Sequence, residues 1–264
     1  MTRVGDLFPD KPIIGMIHLP ALPGAPRNER GIDELVDFAL EEAEKLDRAG
    51  LDGLIVENVG DVPLFKDEVP AVTVAAMARV VGAVAAKTRL HVGVNMLRNA
   101  CESALAVAHI SGARFIRCNV MIGAYVTDQG IIEGCAAGLA RLRRGLDSDV
   151  LVLGDVHVKH AYPLFDVPIE DAARDLAERG GADAVIVSGT RSPDPPSAER
   201  VAAVRNAVYV PVLIGSGIGL GNAKEFYDTS DGVLLGETDF KLDAVWGGPN
   251  DEAAYARAVA DCRG

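Results

Sequence analysis

The most chemically loaded stretch of the chain is L-V-L-G-D-V-H-V-K-H, Leu151 to His160. Read as an extended strand, it places Leu151, Leu153, Asp155, His157 and Lys159 on one face and Val152, Val156 and Val158 on the other. With the valines packed under helices, a carboxylate, an imidazole and an ammonium project together from one strand end. Asp155 and His157 could then exchange a proton, with Lys159 as base or electrophile. A purely structural Asp–His pair is the competing reading. Glu57 and Asn58 close another apolar run. A carboxylate at the end of a buried strand meets the partial desolvation that acid–base work requires, and a salt bridge to Arg117 or Lys159 is its structural alternative.

Other apolar runs also finish in polar groups: His18, Asn95 with Arg98 beyond it, Arg117 and Asn119, and Ser188 with Thr190. Amides, an imidazole and a guanidinium at such positions would orient substrate hydroxyls or steady an oxyanion. Arg117 serves equally well in an ion pair, because a charge within a strand needs a partner. A phosphate signal follows the run V-P-V-L-I. The chain turns through G-S-G-I-G, Gly215 to Gly219, and Gly221 and Asn222 open a helix. Glycines let backbone amides approach an anion, and a helix N-terminus adds partial positive charge. No Lys or Arg lies in this turn. A phosphate would therefore rest on the amides of Gly215, Ser216, Gly217 and Gly236, with Ser188 beside them.

His18, Asp155, His157 and His160 could ligate a divalent metal, although no H-x-H or H-E-x-x-H spacing fixes such a site. No cofactor is expected, and a divalent metal is the one option left open. Cys101, Cys118, Cys135 and Cys262 form no C-x-x-C pair, which speaks against a zinc ribbon or thioredoxin motif.

These residues need elements to position them, and eight short apolar runs supply candidate strands: Ile13–Ile17, Gly53–Val56, Leu90–Val94, Phe115–Cys118, Val150–Leu153, Ala184–Val187, Val210–Ile214 and Gly232–Leu235. Most are continuous in Val, Ile and Leu, as strands covered on both faces are. Helical periodicity fills the gaps over Asp33–Ala49, Ala71–Ala86, Cys101–Ile110, Ile132–Leu146, Ile169–Arg179, Ser197–Ala207, Gly221–Tyr227 and Asp251–Cys262. Eight strands alternating with eight helices predict an α/β chain folded as a single (β/α)8 TIM barrel over residues 1–264. The stretch Val120 to Gly130 is left over as loop. An open doubly wound sheet is the runner-up, but the first strand is followed by H-L-P-A-L-P-G, not a G-x-G-x-x-G fingerprint. In a barrel, the polar strand ends would ring one mouth.

Length and composition agree with this. The chain has 264 residues, close to the roughly 250 of such barrels, and 49% hydrophobic residues, too many for a disordered chain. Its formal net charge of -12 disfavours nucleic acid and anionic membrane surfaces as partners. Only 7 of the 26 basic residues are Lys, and Asp outnumbers Glu 23 to 15, a balance shared by halophilic proteins and by GC-rich genomes. No segment reads as a signal peptide, and Ala71–Ala86 is too short to cross a bilayer. The expectation is a soluble protein of a reducing cytoplasm, with homo-oligomerisation left open.

Eight phrases, ordered along nearly the whole chain, resemble the BtpA/SgcQ family: G-M-I-H-L-P-A-L-P-G from Gly15, D-G-L-I-V-E-N-V-G-D from Asp52, G-V-N-M-L-R-N from Gly93, A-R-F-I-R-C-N-V from Ala113, V-T-D-Q-G-I-I-E-G from Val126, D-V-H-V-K-H from Asp155, A-D-A-V-I-V-S-G from Ala182 and P-V-L-I-G-S-G from Pro211. The resemblance implies a TIM barrel of the ribulose-phosphate-binding type. It also implies a link to photosystem I accumulation for some members, while others occur in non-photosynthetic organisms. It carries no catalytic residue set. One departure stands out: after the last strand the family usually has Gly, a small hydroxyl residue and a basic stretch, whereas this chain has G-E-T-D-F-K. Glu237 would repel a phosphate unless it points away. The leading expectation is an isomerase-, epimerase-, aldolase- or lyase-type enzyme acting on a small phosphorylated metabolite such as a sugar phosphate. A non-catalytic assembly or stability factor and a metal-dependent hydrolase are the alternatives.

Overall fold

The structure, a computed structural model, describes all residues except Met1, Thr2, Pro9, Thr190, Ser192, Pro193 and Trp246. The expected role of Thr190 therefore lies outside the described residues. Eight parallel strands close into a barrel: β1 (Ile13–His18), β2 (Gly53–Glu57), β3 (His91–Asn95), β4 (Phe115–Cys118), β7 (Leu151–Val156), β9 (Ala184–Val187), β10 (Val212–Ile214) and β11 (Val233–Leu235), with β11 returning to pair with β1. Three further strands lie outside it. β5 (Ala124–Thr127), β6 (Gly130–Glu133) and β8 (Tyr162–Pro163) form a small antiparallel sheet with β5 in the middle.

Helices pack around the barrel: α2 (Ile32–Arg48), α3 (Ala71–Lys87), α4 (Cys101–Ser111), α5 (Ala136–Gly145), α6 (Ile169–Arg174, running on into a π-helical turn to Arg179), α7 (Ala198–Ala207), α8 (Ala223–Thr229) and α9 (Glu252–Arg263). A short α1 (Val4–Leu7) precedes β1. The two faces of each strand divide the core, as period two requires. Ile13, Ile17, Leu54, Val56, Val92, Val94, Val152 and Val185 point outward and pack with the helices. Ile14, Met16, Ile55, Phe115, Leu151, Leu153, Ile186, Leu213 and Leu234 fill the interior. Val4, Leu7 and Phe8 join this inner cluster and plug the end of the barrel from which the strands start, with the Phe8 ring edge-on to Phe115 at 5.9 Å. Gly93 makes room for Phe115: a Cβ there would lie 2.2 Å from the ring.

All eight expected strands are present, with ends shifted by up to three residues. The stretch expected to be loop is different. Val120 to Gly130 carries the first strand of a hairpin, and the helix expected from Ile132 starts only at Ala136. Ile131 and Ile132 resemble a helical stripe in spacing, but Asp128–Gln129 make a two-residue turn ahead of Gly130, whose φ is +99°. The Thr127 hydroxyl pins that turn by accepting from the Gln129 amide at 3.2 Å and donating to the Gly130 carbonyl at 2.9 Å.

Candidate active site at the barrel mouth

The inward rows of β1, β2, β3 and β4 continue past their apolar filling into His18, Glu57, Asn95 and Arg117, and these converge on a cavity of about 840 Å³. Its lining includes His18, Glu57, Asn95, Arg98, Arg117, Asn119, Lys159, His160, Arg191, Gly215, Gly236 and Glu237. Strand register sets the first three side by side. His18 is opposite Glu57, and Glu57 is opposite Asn95. The Asn95 amide donates to Glu57 Oε2 at 2.6 Å, and His18 Nε2 stands 3.6 Å from Glu57 Oε1. Burial, followed by the charges of Lys241, Lys159 and Arg117, holds the His18 imidazole well below its ordinary range, so it is neutral at pH 7. Burial likewise pulls the Lys159 ammonium down, with the Arg117 charge acting in the same direction.

Asp155 is used differently from the sequence expectation. Arg117 grips it as a fork, Nε to Oδ2 at 3.0 Å and NH2 to Oδ1 at 2.9 Å, and the Asn119 amide adds a third bond to Oδ2 at 2.7 Å. All three side chains are buried. Both carboxylate oxygens are thus committed, and Asp155 is not among the residues that line the cavity.

His157 is a correction. β7 ends at Val156, and His157 adopts a left-handed φ of +49°, which breaks the alternation that would have aimed it into the mouth. Its ring instead lines a second cavity, edge-on to Tyr125 at 6.3 Å. Lys159 and His160 regain the mouth beyond it. Asn58 is also placed elsewhere. Its amide donates to Asp61 Oδ2 at 2.9 Å and its oxygen accepts from the Leu97 amide at 2.8 Å, which ties the loop after β2 to the loop after β3. The four expected metal ligands do not converge, because Asp155 is paired with Arg117 and His157 faces another cavity.

The expected phosphate turn is occupied by the protein itself. Glu237 Oε1 accepts from the Gly217 amide at 2.9 Å and from the Ser216 hydroxyl at 3.3 Å. Asn222 Oδ1 accepts from the Gly219 amide at 2.8 Å. Gly215 and Gly236 border the mouth, whereas Ser188 is fully buried, and its Oγ has no hydrogen-bond partner among the described residues. The departure noted in G-E-T-D-F-K therefore matters: Glu237 points toward the amides, not away.

Sequence reasoning noted Arg98 and passed over Arg191 and Lys241. The Arg98 side chain donates to the Lys159 carbonyl at 2.6 Å. Lys241, bonded to Asn250 Oδ1 at 2.6 Å, is pulled down to about 8 by burial. A basic residue just past a strand end was the available signal for Arg98. Nothing local marks Arg191, which the fold alone brings to the cavity, and Lys241 lies behind its wall.

Cys101 and Cys118 are joined by a disulfide, with Cα atoms 5.5 Å apart, and Cys135 Sγ lies 3.4 Å from Cys118 Sγ. All three sulfurs lie within 4.8 Å of one another, and only with the disulfide reduced could they serve as metal ligands. They come from α4, β4 and the residue before α5, so no sequence spacing announces them. No helix among the described residues is long and apolar enough to cross a membrane.

Comparison with known proteins places the chain in context. A family model described as the BtpA family matches residues 9–260. An uncharacterized protein of Methanocaldococcus jannaschii is 43% identical over 252 residues, covering 96% of this chain and 94% of that one. The photosystem I biogenesis protein BtpA of Synechocystis is 42% identical over 225 residues, covering 85% of this chain and 78% of that one. Among solved structures, tryptophan synthase of Mycobacterium tuberculosis superposes with a TM-score of 0.63 at 16% identity, covering 99% of this chain and 98% of that one. Thiamine phosphate pyrophosphorylase of Pyrococcus furiosus gives 0.60 at 14%, covering 96% and 95%. At these identities the structures share the TIM-barrel fold.

Proposed function

The chain belongs to the BtpA family, and from that membership and the chemistry of its barrel mouth we propose that it is an enzyme applying acid–base catalysis to a small phosphorylated metabolite. A sugar phosphate undergoing isomerisation, epimerisation or carbon–carbon cleavage is the simplest such substrate. The observation that carries this reading is the carboxylate of Glu57, fixed by Asn95 at 2.6 Å and faced by His18 on the wall of a cavity large enough for a metabolite. Glu57 would take or return the proton, and neutral His18 would relay it or hydrogen-bond the developing oxyanion. Lys159, whose ammonium is pulled down by burial, would supply an electrophile or a second proton. Asn119 would orient a hydroxyl through its buried and unbonded Oδ1. The likeness of fold to a thiamine phosphate enzyme supports the phosphorylated class.

A thermal-shift screen with phosphorylated sugars would find the ligand, because a molecule that binds only the folded state raises Tm. On the substrate so found, Glu57→Gln should lower kcat by about 10² to 10⁴ without lowering Tm. Unchanged turnover would refute the assignment.

A second reading, an assembly factor of the photosystem I biogenesis type, is favoured by one feature. Val126, Ile131, Tyr162, Leu164 and Phe165 are exposed on and beside the small antiparallel sheet, Phe165 to 76%. Exposed apolar side chains of this kind suit a partner surface. Turnover unaffected by Phe165→Ser, with no associated protein lost, would argue for the enzyme alone.

A further inference from the structure

We propose that the ligand phosphate is held on the Arg98 side of the mouth, by Arg98 with His160 and Arg191, and not by the amides after β10. This rests on the phosphorylated-metabolite reading above and refines where that metabolite sits.

Two observations point the same way. First, the glycine turn has no vacancy for an anion. The Gly217 and Gly219 amides are bonded to Glu237 and Asn222, and a Cβ built at Gly217 would fall 2.3 Å from the Pro195 nitrogen, so backbone also covers it. A phosphate dianion entering there would meet the buried Glu237 carboxylate and would have to displace it. Second, the other side of the cavity holds a buried cation that no carboxylate among the described residues pairs directly. Arg98 is 7% exposed, and its guanidinium makes one hydrogen bond, to a backbone carbonyl. Among the described residues it forms no salt bridge; the carboxylates whose charges reach it are Asp155, which Arg117 already grips, Glu57 and Asp128. Buried charges are ordinarily paired, because taking a lone cation out of water is costly. The missing partner here is an anion in the cavity that Arg98 lines.

The surroundings fit such a guest. His160 and Arg191 line the same cavity, with the Arg191 guanidinium positioned by its 2.8 Å bond to the Tyr162 hydroxyl. His160 holds a φ of +56°, an uncommon conformation for a residue with a side chain, and such strain collects at ligand-binding positions. One acid, Asp128 on the hairpin, also faces this side, and its Oδ2 accepts from Gln129 at 2.7 Å. Arg98, His160 and Arg191 outweigh it in donors. A planar fork suits a phosphate, which presents pairs of oxygens to parallel N–H bonds. With the phosphate at the rim, the carbon that reacts lies deeper, toward Glu57 and His18.

Calorimetric titration of the whole protein with inorganic phosphate tests the assignment without any turnover. Arg98→Gln should weaken phosphate binding by about tenfold or more, and Arg98→Lys by a smaller factor, because charge survives but the fork does not. Glu237→Gln should leave the affinity within about twofold. Undiminished binding by Arg98→Gln, or a larger change in Glu237→Gln than in Arg98→Gln, would place the anion at the glycine turn and overturn the proposal. Absence of phosphate binding by the unaltered protein would overturn it too, and malonate binding more tightly than phosphate would remove the phosphate class. If Arg98→Gln lowers Tm, the Arg98→Lys comparison decides. Failure here leaves Glu57-dependent turnover of some other substrate intact, so the two readings fail separately.

Discussion

Glu237 lies with Oε1 2.9 Å from the Gly217 amide nitrogen, a side-chain carboxylate bound where barrels of this fold commonly hold a phosphate. The chain thus carries its own anion at the end of β11. Removing that carboxylate takes the acceptor from the buried Gly217 amide. Glu237→Ala should therefore cost about 1–3 kcal/mol of stability, and Glu237→Gln, which keeps an acceptor, clearly less. Urea denaturation of both variants checks this, and equal losses would show that the hydrogen bond matters little.

Asp155 should behave as a stability residue. Breaking its buried pair with Arg117 strands a guanidinium, at a cost of about 3–5 kcal/mol. Asp155→Ala should shift the urea midpoint accordingly. The double variant Arg117→Met, Asp155→Leu should recover most of the loss, since a buried pair is often replaceable by apolar side chains. A double variant as unstable as the single one would contradict this account.

The stability profile against pH should have two rising limbs. The folded His18 resists protonation, whereas in the unfolded chain it takes a proton near pH 6.5. Below that value the unfolded state binds the extra proton, so stability falls as the solution is acidified toward the folded pKa. Burial pulls Lys241 down to about 8 in the fold from its ordinary 10.5, so stability should climb between those two values, where the unfolded chain still holds the proton and the native state does not. His18→Gln should flatten the acid limb, leaving the slope due to His91, His157 and His160, which burial shifts the same way. Lys241→Met should make the alkaline limb shallower, leaving the slope due to Lys159, which burial shifts the same way. Urea midpoints collected against pH would show either slope persisting if the assignment is wrong.

Gly93→Ala tests the barrel filling. The new methyl would strike the Phe115 ring, and overpacking of this kind costs about 1–3 kcal/mol. Phe115→Leu in the same chain should return part of that loss. Additive losses in the double variant would mean the two positions do not collide.

The barrel itself was legible because buried parallel strands are continuous apolar runs, and β4 and β9 coincide with theirs to the residue. The polar mouth was legible for a related reason: the inward row of a strand stays in phase to its last residue, which is how His18, Glu57 and Asn95 meet. Phase is also where the reading broke. It carried His157 onto the Asp155 face, but the backbone turns left-handed at that residue and the phase is lost. The hairpin was missed because Ile131 and Ile132 suit a helix as well as a strand, and the short turn before Gly130 decides between them. The adjacency of β4 and β7 follows from their being consecutive barrel strands, but that Asp155 is the partner of Arg117 depends on the register between them.

That insertion has a mechanical consequence. β5 pairs with β6 on one side and with Tyr162–Pro163 on the other, so the hairpin and the loop that carries Lys159 and His160 share hydrogen bonds. Arg98 adds a tie from the loop after β3 to the Lys159 carbonyl. Three connections that in most barrels can swing separately are here laced into one plate. The opposite end of the barrel is plugged by Val4, Leu7 and Phe8, so traffic runs through the mouth alone. A displacement of any one of these connections is therefore passed to the other two.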